Sequence, residues 1–270
     1  MIVFTANKTQ KLLKAALENA DVSYSALNKA LRNKDVKVND KRVKTDVYIN
    51  AGDTVKIYLP ESEGERIEKF RVIYKDNDIT VVDKKRGVLS EDVFAELSGN
   101  AECYFIHRLD RNTDGIMIFA NNSVAEEELK KGFKTRAFEK VYIAEVKGVP
   151  KPERAECSAF LFKDAKRGVV TVTENKVKGA VPIKTGYKVI KNNGETSVLR
   201  IKLFTGKTHQ IRAHLAFLGY PVVGDEKYGD HAFNKSRGVK KQMLTASELV
   251  LHFDSDSPLY RLDGKIFVKD

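Results

Sequence analysis

YFIHRLDRNTDGIMIFA (residues 104–120) sets four ionisable side chains between two apolar runs: His107, Arg108, Asp110 and Arg111. Charged groups at the margin of a hydrophobic core are costly unless they are paired or solvated, so the segment is either a surface turn or a site. Thr113, Asp114 and Gly115 supply turn chemistry before the apolar run IMIFA. We therefore expect Asp110 to lie on a loop at a sheet edge, where its carboxylate can meet a ligand or cap a backbone turn.

The composition predicts an ordinary folded protein. Of the 270 residues, 42% are hydrophobic and 31% are charged, which suits one large domain or a large domain with a small appendage. No apolar run approaches the roughly 18 residues that a membrane helix needs. The start, MIVFTANKTQ, has neither a leader-like apolar core nor a small-residue cleavage site. We expect a cytoplasmic protein without a membrane segment.

The cysteines and histidines do not form a pattern that binds metal. Cys103 and Cys157 stand far apart, and we expect both to be reduced. The five histidines form no HExxH motif, and His209 and His214, five positions apart, would lie on different helical faces. We therefore expect neither a metal nor a cofactor.

The net charge favours a polyanionic partner. It is +11 at neutral pH, with a sequence pI of about 9.4, and such a balance draws nucleic acids through the release of condensed counterions. The alternative is a basic surface that serves solubility alone.

Residues 1–60 predict a small α+β domain. Apolar residues recur at helical spacing in residues 8–19 and 25–34, and valine or isoleucine then alternates with polar residues up to residue 60. This pattern predicts two helices followed by short strands, with turns at Asn39-Asp40 and Gly52-Asp53.

Basic side chains accumulate in this domain. Eleven Lys plus Arg against six Asp plus Glu give it a net charge of +5. Four of the basic residues fall on the second helix and just after it, where they could contact a phosphate backbone: Lys29, Arg32, Lys34 and Lys37. A solvated helix face is the alternative interpretation of this charge run.

We place an acidic, proline-led linker at residues 61–69 and a second domain at residues 70–270. Most segments of the second domain predict strands, and two helices interrupt them, at residues 122–133 and 208–219. The first of these helices would begin with a capping box, Ser123 with Glu126. Strands without regular helical crossovers predict an α+β fold with a mainly antiparallel mixed sheet and flanking helices.

Two short motifs suggest ATP-binding proteins but lack residues that those proteins need. A protein kinase needs His-Arg-Asp in direct succession with a glycine-rich loop upstream, and here Leu109 intervenes and that loop is missing. GKTH at residues 206–209 lacks the earlier glycine of a phosphate-binding loop, since that position is Ile201. ATP binding is therefore not predicted.

Two longer segments carry a specific resemblance. HRLDRNTDGIMIFA is similar to the His-Arg-Leu-Asp-x-x-Thr-Ser-Gly signature of the RluA-type pseudouridine synthases. TGKTHQIRAHLAFLGYPVVGDEKYG resembles their second signature, and the likeness extends over residues 70–253. The resemblance implies the pseudouridine synthase fold with a central cleft, and the isomerisation of uridine in RNA.

The resemblance also implies roles for individual residues. Asp110 matches the catalytic aspartate, which acts as nucleophile at C1′ or stabilises positive charge on the sugar. Arg212 matches its partner arginine, and an opposite charge keeps a carboxylate ionised. Tyr142 matches the tyrosine that stacks on the target uracil and can act as a base.

Further positions would contact the substrate. Arg108 matches the residue that enters the RNA and supports the flipped nucleotide, whereas His107 would position the loop. Leu244 resembles the apolar residue of the uracil pocket, with a plain core leucine as the alternative. From the second signature we assign three residues to substrate binding: Lys207, His209 and Gln210.

The chain departs from the family pattern at several positions. Asp114 stands where serine is usual, Lys207 where arginine is usual and Thr245 where histidine is usual. DKKRG at residues 83–87 replaces the common NKPAG. None of these changes touches the aspartate, the tyrosine or the partner arginine, so we expect the reaction class to be retained.

The two predicted helices and the strand segment VKVNDKRVKTDVYINAGDTV (residues 36–55) together resemble the small RNA-binding module named after ribosomal protein S-four, with Asp40 in place of its usual glycine. That resemblance implies binding to structured RNA by shape and phosphate contacts. Ribosomal RNA is the predicted substrate, and we expect a monomer. The alternatives are a synthase acting on transfer RNA and a non-catalytic RNA-binding protein.

Overall fold

The computed structural model describes residues 1–20, 22, 24–59, 68–99, 101–164 and 168–269. These residues form two compact units. The first comprises Met1–Lys69 and Leu89–Cys103, and the second comprises Phe70–Val88 and Tyr104–Asp270. Most of the linker predicted at residues 61–69 lies outside the described residues. The first unit includes a segment, Leu89–Cys103, that the predicted domain limits assign to the second domain.

The first unit combines helices with short strands. Its elements are β1 (Ile2–Thr5), β2 (Gln10–Lys11), α1 (Leu12–Asn19), α2 (Tyr24–Asn33), β3 (Val36–Val38), β4 (Lys41–Val43), β5 (Tyr48–Ile49), β6 (Thr54–Ile57) and α3 (Ser90–Ser98). An antiparallel sheet has the strand order β1-β6-β3-β4, and β2 pairs with β5. The two predicted helices and the strands after them are present, while β1, β2 and α3 were not predicted. The first helix was predicted from residue 8 but begins at Leu12, because Gln10 and Lys11 form β2.

A tight turn connects β3 to β4. Both of its central residues, Asn39 and Asp40, have left-handed backbones with φ of 48° and 60°, a conformation that short polar side chains tolerate better than other non-glycine residues do. Asp40 can therefore occupy this turn position although it is not glycine. Its carboxylate also accepts a hydrogen bond from Lys56 Nζ at 2.7 Å.

The second unit is built around a long sheet. Its elements are β7 (Phe70–Lys75), β8 (Ile79–Lys84), β9 (Tyr104–Phe105), β10 (Asp114–Ala120), α4 (Ser123–Thr135), β11 (Glu139–Lys147), β12 (Arg154–Asp164), β13 (Val169–Thr173), β14 (Val181–Asn192), β15 (Thr196–Leu203), α5 (Gln210–Phe217), α6 (His231–Ser236), β16 (Leu244–Val250) and β17 (Ile266–Val268). The main strand order is β13-β12-β14-β15-β11-β16-β10-β8-β7. β9 and β17 pair with β10 and β16.

All pairings in this sheet are antiparallel except that of β10 with β16, which is parallel. The predicted fold class, a mainly antiparallel mixed sheet with few helices, is confirmed. β10 lies inside the sheet between β8 and β16. The prediction that Asp110 sits at a sheet edge was therefore wrong, because its loop precedes an inner strand.

The helices differ in detail from the predictions. The side chain that caps α4 belongs to Asn122, whose Oδ1 accepts a hydrogen bond from the Ala125 N–H at 2.8 Å. The predicted cap at Ser123 was wrong, since that residue is already the first in the helix. α6 was not predicted. Within the described segments, no helix is long and apolar enough to cross a membrane.

Two hydrophobic clusters lie on either side of the β10–β16 pair. One contains side chains of β8, β10 and α4, including Ile79, Ile116 and Leu129. The other contains side chains of β11, β15 and α5, including Leu199 and Leu215. The parallel pair therefore lies where the two cores meet, and the loop before β10 is anchored on packed structure at that end.

The parallel pair depends on a close backbone approach. A Cβ atom on Gly115 would lie 2.1 Å from the carbonyl oxygen of Ala246, and the φ of Gly115 is 116°. Only glycine fits where a neighbouring strand comes this near, and only glycine adopts such a φ without strain.

We predict that Gly115→Ala destabilises the protein by roughly 2 to 4 kcal/mol more than Gly194→Ala does, because the added methyl group would collide with fixed backbone. Gly194 is a matched control, since its φ is 86° and a Cβ atom there would meet nothing within 4 Å. Urea unfolding of both variants gives the difference. Equal destabilisation of the two variants would show that the positive φ, and not the close approach of Ala246, disfavours alanine at position 115.

Candidate active site

The loop that contains Asp110 has an anchored side and an open side. Leu109 is 4% exposed and packs into the interior, while Arg108 before it is exposed. The side chain of Asp110 is 22% exposed. A hydrogen bond from Thr113 N–H to the carbonyl of Asp110, 3.0 Å long, closes a turn just before β10. Asp110 is thus presented at a turn whose ends are fixed.

Asp110 and Arg212 meet although 102 positions separate them in the sequence. Arg212 Nη1 donates to Asp110 Oδ2 at 2.9 Å. Arg212 lies in the first turn of α5, and its side chain is only 7% exposed. The structure therefore brings together the aspartate and the arginine that the sequence motifs paired.

Asp225 binds the rest of the same guanidinium. Arg212 Nε donates to Asp225 Oδ2 at 2.6 Å, and Nη2 donates to Oδ1 at 2.9 Å. The Asp225 side chain is 0% exposed, and Oδ1 also accepts the backbone N–H groups of Lys227 and Tyr228. This two-point pair fixes the guanidinium plane, which leaves Nη1 directed at Asp110. Asp225 lies in the GDEKYG segment, but no role was predicted for it from the sequence.

The Arg212–Asp225 pair is held in the charged state. Burial alone would lower the pKa of Arg212, but hydrogen bonds and attraction to Asp225 and Asp110 raise it above its usual range. Burial would likewise raise the pKa of Asp225, yet the hydrogen bonds from Arg212 and from two backbone N–H groups lower it. A permanent positive charge therefore faces Asp110.

His209 and Tyr228 form the next layer of contacts. His209 Nδ1 is 2.9 Å from Tyr228 Oη, and His209 Nε2 is 3.9 Å from Asp110 Oδ1. The Tyr228 ring also lies against the guanidinium of Arg212, with Cζ 5.2 Å from the ring centroid. Burial lowers the pKa of His209 although Asp110 opposes the shift. Tyr228 lies in the same GDEKYG segment, and no role was predicted for it from the sequence.

Tyr142 lies on β11 beside a β-bulge, opposite Ala246 of β16. It packs against the second hydrophobic cluster, as does Leu244, which is 3% exposed. Burial raises the pKa of the Tyr142 phenol, and the negative charge of Asp110 raises it further. The phenol therefore keeps its proton at neutral pH. This favours a stacking role over that of a base in the free protein, while both roles stay predictions.

His107 is a neutral, fixed side chain. Its Nε2 accepts the N–H of Ile118 at 3.1 Å, and its ring stacks on Phe133 with 4.6 Å between centroids. Burial, with a smaller contribution from Lys140, lowers the pKa of His107 to about 3. An imidazole that is already an acceptor and stays uncharged is suited to hold the loop against β10.

The remaining predicted residues of the second signature differ in exposure. Lys207 is exposed. Gln210 is 2% exposed: its Oε1 accepts from Thr205 Oγ1 at 2.9 Å, and its Nε2 donates to Thr185 Oγ1 at 3.1 Å. Gln210 thus fastens the loop before α5 to β14, and any effect of this residue on a substrate would be indirect.

Buried polar residues attach the Asp110 loop to its surroundings. Lys84 is 0% exposed and donates from Nζ to the carbonyls of Lys85, Val88 and Arg111 at 3.1, 2.9 and 3.3 Å. Burial lowers the pKa of Lys84 to about 8.

A second attachment involves Gln242, whose Nε2 donates to Thr113 Oγ1 at 2.9 Å. Neither Lys84 nor Gln242 was identified from the sequence, because each acts through contacts made only in the folded chain.

The predicted basic residues of the first unit lie on two elements. Lys29 and Arg32 are exposed on α2, and exposed Lys34 follows that helix with a φ of 62°. Lys37 lies on β3, directly opposite Arg42 and Lys56 in the sheet register. Its Nζ is 5.4 Å from the centroid of the Tyr58 ring.

No cluster of three or more His, Cys, Asp or Glu side chains that could hold a metal ion occurs among the residues with described positions. The absence of a metal and of a cofactor stays a prediction. What the site does contain is a partly exposed carboxylate, a buried guanidinium and a protonated phenol. Such a set can stabilise or attack an electron-deficient carbon, as in glycosidic bond cleavage.

Comparison with known proteins identifies similar chains. A family model described as RNA pseudouridylate synthase matches residues 69–217, more than half of the chain. An uncharacterised RNA pseudouridine synthase of Aquifex aeolicus is 33% identical over 253 residues, which cover 83% of this chain and 77% of the relative. Ribosomal large subunit pseudouridine synthase C of Vibrio vulnificus is 28% identical over 256 residues, covering 85% and 80%.

A solved structure agrees with these matches. Human RNA pseudouridylate synthase domain containing 1 superposes with a TM-score of 0.62 at 27% identity, covering 72% of this chain and 83% of the human one.

We predict that Asp225→Asn destabilises the protein by about 3 to 5 kcal/mol at pH 7, since it leaves a buried guanidinium without its main partner. The folded-state pKa of Asp225 lies below its unfolded value. The pair's stabilisation is therefore present above about pH 4 and is lost as the pH falls through the folded pKa. The difference between wild type and variant should shrink below about pH 4.

Urea unfolding between pH 7 and pH 3 measures this difference. Glu139→Gln makes the same chemical change at an exposed pair with Lys202, 2.8 Å long, and should cost less than about 1 kcal/mol. A loss for Asp225→Asn that stays constant across the pH range would contradict the assignment of charge to this pair.

Proposed function

The chain belongs to the RNA pseudouridylate synthase family, which isomerises uridine in RNA, and we propose that Asp110 is its catalytic carboxylate with Arg212 as the partner cation. The observation that carries this assignment is the state of the two Asp110 oxygens. Oδ2 accepts from Arg212 at 2.9 Å. Within the described part of the chain, Oδ1 has no hydrogen-bond donor, since His209 Nε2 stays 3.9 Å away. One oxygen is thus fixed and the other is open to a substrate.

This arrangement suits the bond changes of the reaction. The N1–C1′ bond of uridine breaks, the uracil turns, a C5–C1′ bond forms, and C5 loses a proton while N1 gains one. An anionic Oδ1 can attack C1′ or stabilise positive charge on the sugar while the base is detached. The Arg212 charge, fixed by Asp225, supports the anion without reorganisation during the reaction.

The target nucleotide would have to leave its stack to reach Asp110, at a cost of a few kcal/mol. We assign exposed Arg108 to support of the RNA around the vacated position, because it precedes the anchored Leu109 on the same loop. Tyr142 and Leu244, which share a hydrophobic cluster, would line the uracil pocket. A protonated phenol can stack on the base and donate a hydrogen bond to it.

The substrate is proposed to be ribosomal RNA. Support comes from relatives named ribosomal large subunit pseudouridine synthase C, among them those of Vibrio vulnificus and Escherichia coli. Transfer RNA is the alternative substrate. A cytoplasmic location and a monomeric state are parts of the same proposal, and the ribosomal names of these bacterial relatives support the location.

We propose that the first unit binds structured RNA in the manner of the module named after ribosomal protein S-four. Support comes from its order of helices and strands and from its exposed cations. Lys29 and Arg32 lie on the exposed side of α2, opposite buried Leu27 and Leu31. Regularly placed cations on a stable helix can contact successive phosphates.

We predict that Asp110→Asn lowers the rate of tritium release from RNA labelled at uridine C5 by at least about 1000-fold, because the group that meets the sugar loses its charge. Asp254→Asn is the matched control, since that carboxylate is 75% exposed and pairs only loosely with Lys131 at 3.4 Å. It should retain wild-type rates.

Equal release by wild type and Asp110→Asn would remove Asp110 from its role. Release by neither protein from any cellular RNA would favour the non-catalytic RNA-binding alternative. Assays with ribosomal and transfer RNA as separate substrates distinguish the two proposed substrate classes.

We predict that Lys29→Gln combined with Arg32→Gln weakens RNA binding and lowers the slope of log Kobs against log salt by about 1.4 to 1.8, the loss expected for two phosphate contacts. The matched control is Lys8→Gln with Lys56→Gln. These cations belong to the same unit, but Glu18 and Asp40 pair with them at 3.5 and 2.7 Å.

Filter binding at several salt concentrations with full-length protein gives both slopes. An equal change of slope in the two double variants would point to the net charge of the unit and not to the α2 face. An unchanged slope in the α2 variant would contradict the proposed contact.

A further inference from the structure

Four positions at which the chain departs from the family signatures lie together in the structure. They come from three separate segments of the sequence: Asp83 with Arg86, Asp114, and Thr245. Asp114 Oδ1 accepts from Arg86 Nη2 at 2.7 Å and from Thr245 Oγ1 at 2.9 Å. Asp114 and Thr245 are also direct neighbours in the register of the parallel β10–β16 pair.

Lys269 connects Asp83 to the other three residues through Asp114. Its Nζ lies 2.7 and 2.8 Å from the two carboxylate oxygens of Asp83 and 3.4 Å from Asp114 Oδ2. Its backbone N–H donates to the carbonyl of Ser247, within β16, at 2.8 Å. We call the set of Asp83, Arg86, Asp114, Thr245 and Lys269 the charged cluster.

The charged cluster is balanced and partly shielded from water. It contains two carboxylates and two cations, so its formal charge is zero. The side chains of Asp83, Asp114 and Lys269 are 8%, 16% and 20% exposed. Without Lys269, two carboxylates would remain with Arg86 as the one cation of the cluster, and like charges in such a setting repel.

The charged cluster lies next to the turn that carries Asp110. Asp114 is the first residue of β10, and the turn closed by Thr113 N–H and the Asp110 carbonyl comes immediately before it. Arg86 belongs to the segment that Arg111 also binds, through Arg111 Nε to the Gly87 carbonyl at 2.9 Å. A shift of Asp114 would therefore move the turn that presents Asp110 to Arg212.

We propose that Lys269 and Asp114 are positioning residues for Asp110, and that the charged cluster acts as one unit in holding the turn that carries Asp110. This inference rests on the proposed role of Asp110. The unit holds the strand end of the Asp110 turn, while Arg212 holds the carboxylate itself. A displacement of about 1 Å at a reacting group can cost roughly 100-fold in rate, so a small loosening is measurable.

The competing explanation is a cluster that only stabilises the fold. Partly exposed ion pairs contribute little to stability in most proteins, and a merely structural change would alter unfolding without a specific effect on turnover. The decisive measurement is the turnover number and KM of full-length, folded variants, with tritium release from uridine-labelled RNA as the readout.

The first variant is Lys269→Met, which keeps the aliphatic stem and removes the charge. We expect kcat to fall about 10-fold with KM unchanged, since binding groups are not touched. Lys269→Arg should recover most of the rate. The matched control is Lys265→Met, because Lys265 Nζ lies 3.4 Å from the centroid of the Tyr74 ring, away from the cluster; this variant should keep its rate within about 2-fold.

A second pair of variants tests the route through Asp114. If Lys269 acts through the Asp114 carboxylate, Lys269→Met and Asp114→Asn break the same connection. The double variant should then be no slower than the slower of the two single variants. Thr245→Val removes only the hydroxyl donor to Asp114 with little change of shape. It should lower kcat about 3-fold and serves where a charge change prevents folding.

Three results would overturn the inference: a wild-type kcat for Lys269→Met, an equal loss for Lys265→Met, or losses that multiply in the double variant. If Lys269→Met does not fold, a wild-type kcat for Thr245→Val would overturn the inference instead. Failure of the proposed function looks different, since either Asp110→Asn would then be fully active or the wild-type protein would release no tritium. An inactive Asp110→Asn beside a fully active Lys269→Met would remove only the positioning role.

Discussion

The site depends on a buried guanidinium that must satisfy two carboxylates at once. Arg212 is almost fully enclosed, and an enclosed cation is tolerated only when its charge and its donors are met. Asp225 takes two of the donors and is itself fixed by backbone N–H groups. The guanidinium then has one orientation, and its remaining donor reaches Asp110. The carboxylate that we propose as catalytic is thus placed by a side chain that Asp225 already holds in position.

The sheet supplies the second constraint. Its strands run antiparallel except where β10 meets β16, and the loop with Asp110 enters the sheet at that parallel pair. Gly115 allows the two backbones to approach there, and hydrophobic clusters pack on both sides. A carboxylate at the end of such a strand has little freedom of movement, which is the condition for electrostatic support of a transition state.

Sequence motifs predicted the centre of the site but not its support. The pairing of Asp110 with Arg212 followed from two signatures read together, and the mainly antiparallel sheet followed from alternating patterns. Lys84 and Lys269 could not be assigned a place, because a lysine in a basic sequence carries no sign of which carboxylate or carbonyl it will meet. The cap of α4 was misplaced by one position, since Asn122 and Ser123 are both good capping residues and only backbone geometry separates them.

The long separation between interacting segments has a consequence for how activity arises. Asp110 and Arg212 are 102 positions apart, and Asp114 and Thr245 are 131 apart. Contacts of this kind form late and slowly during folding, because most of the intervening chain must first be ordered. By the proposed assignment, a partly folded molecule would hold the Asp110 loop without its partners, so it could keep exposed cations for RNA binding yet not convert uridine. Turnover therefore requires the segments that carry these distant contacts to be in place.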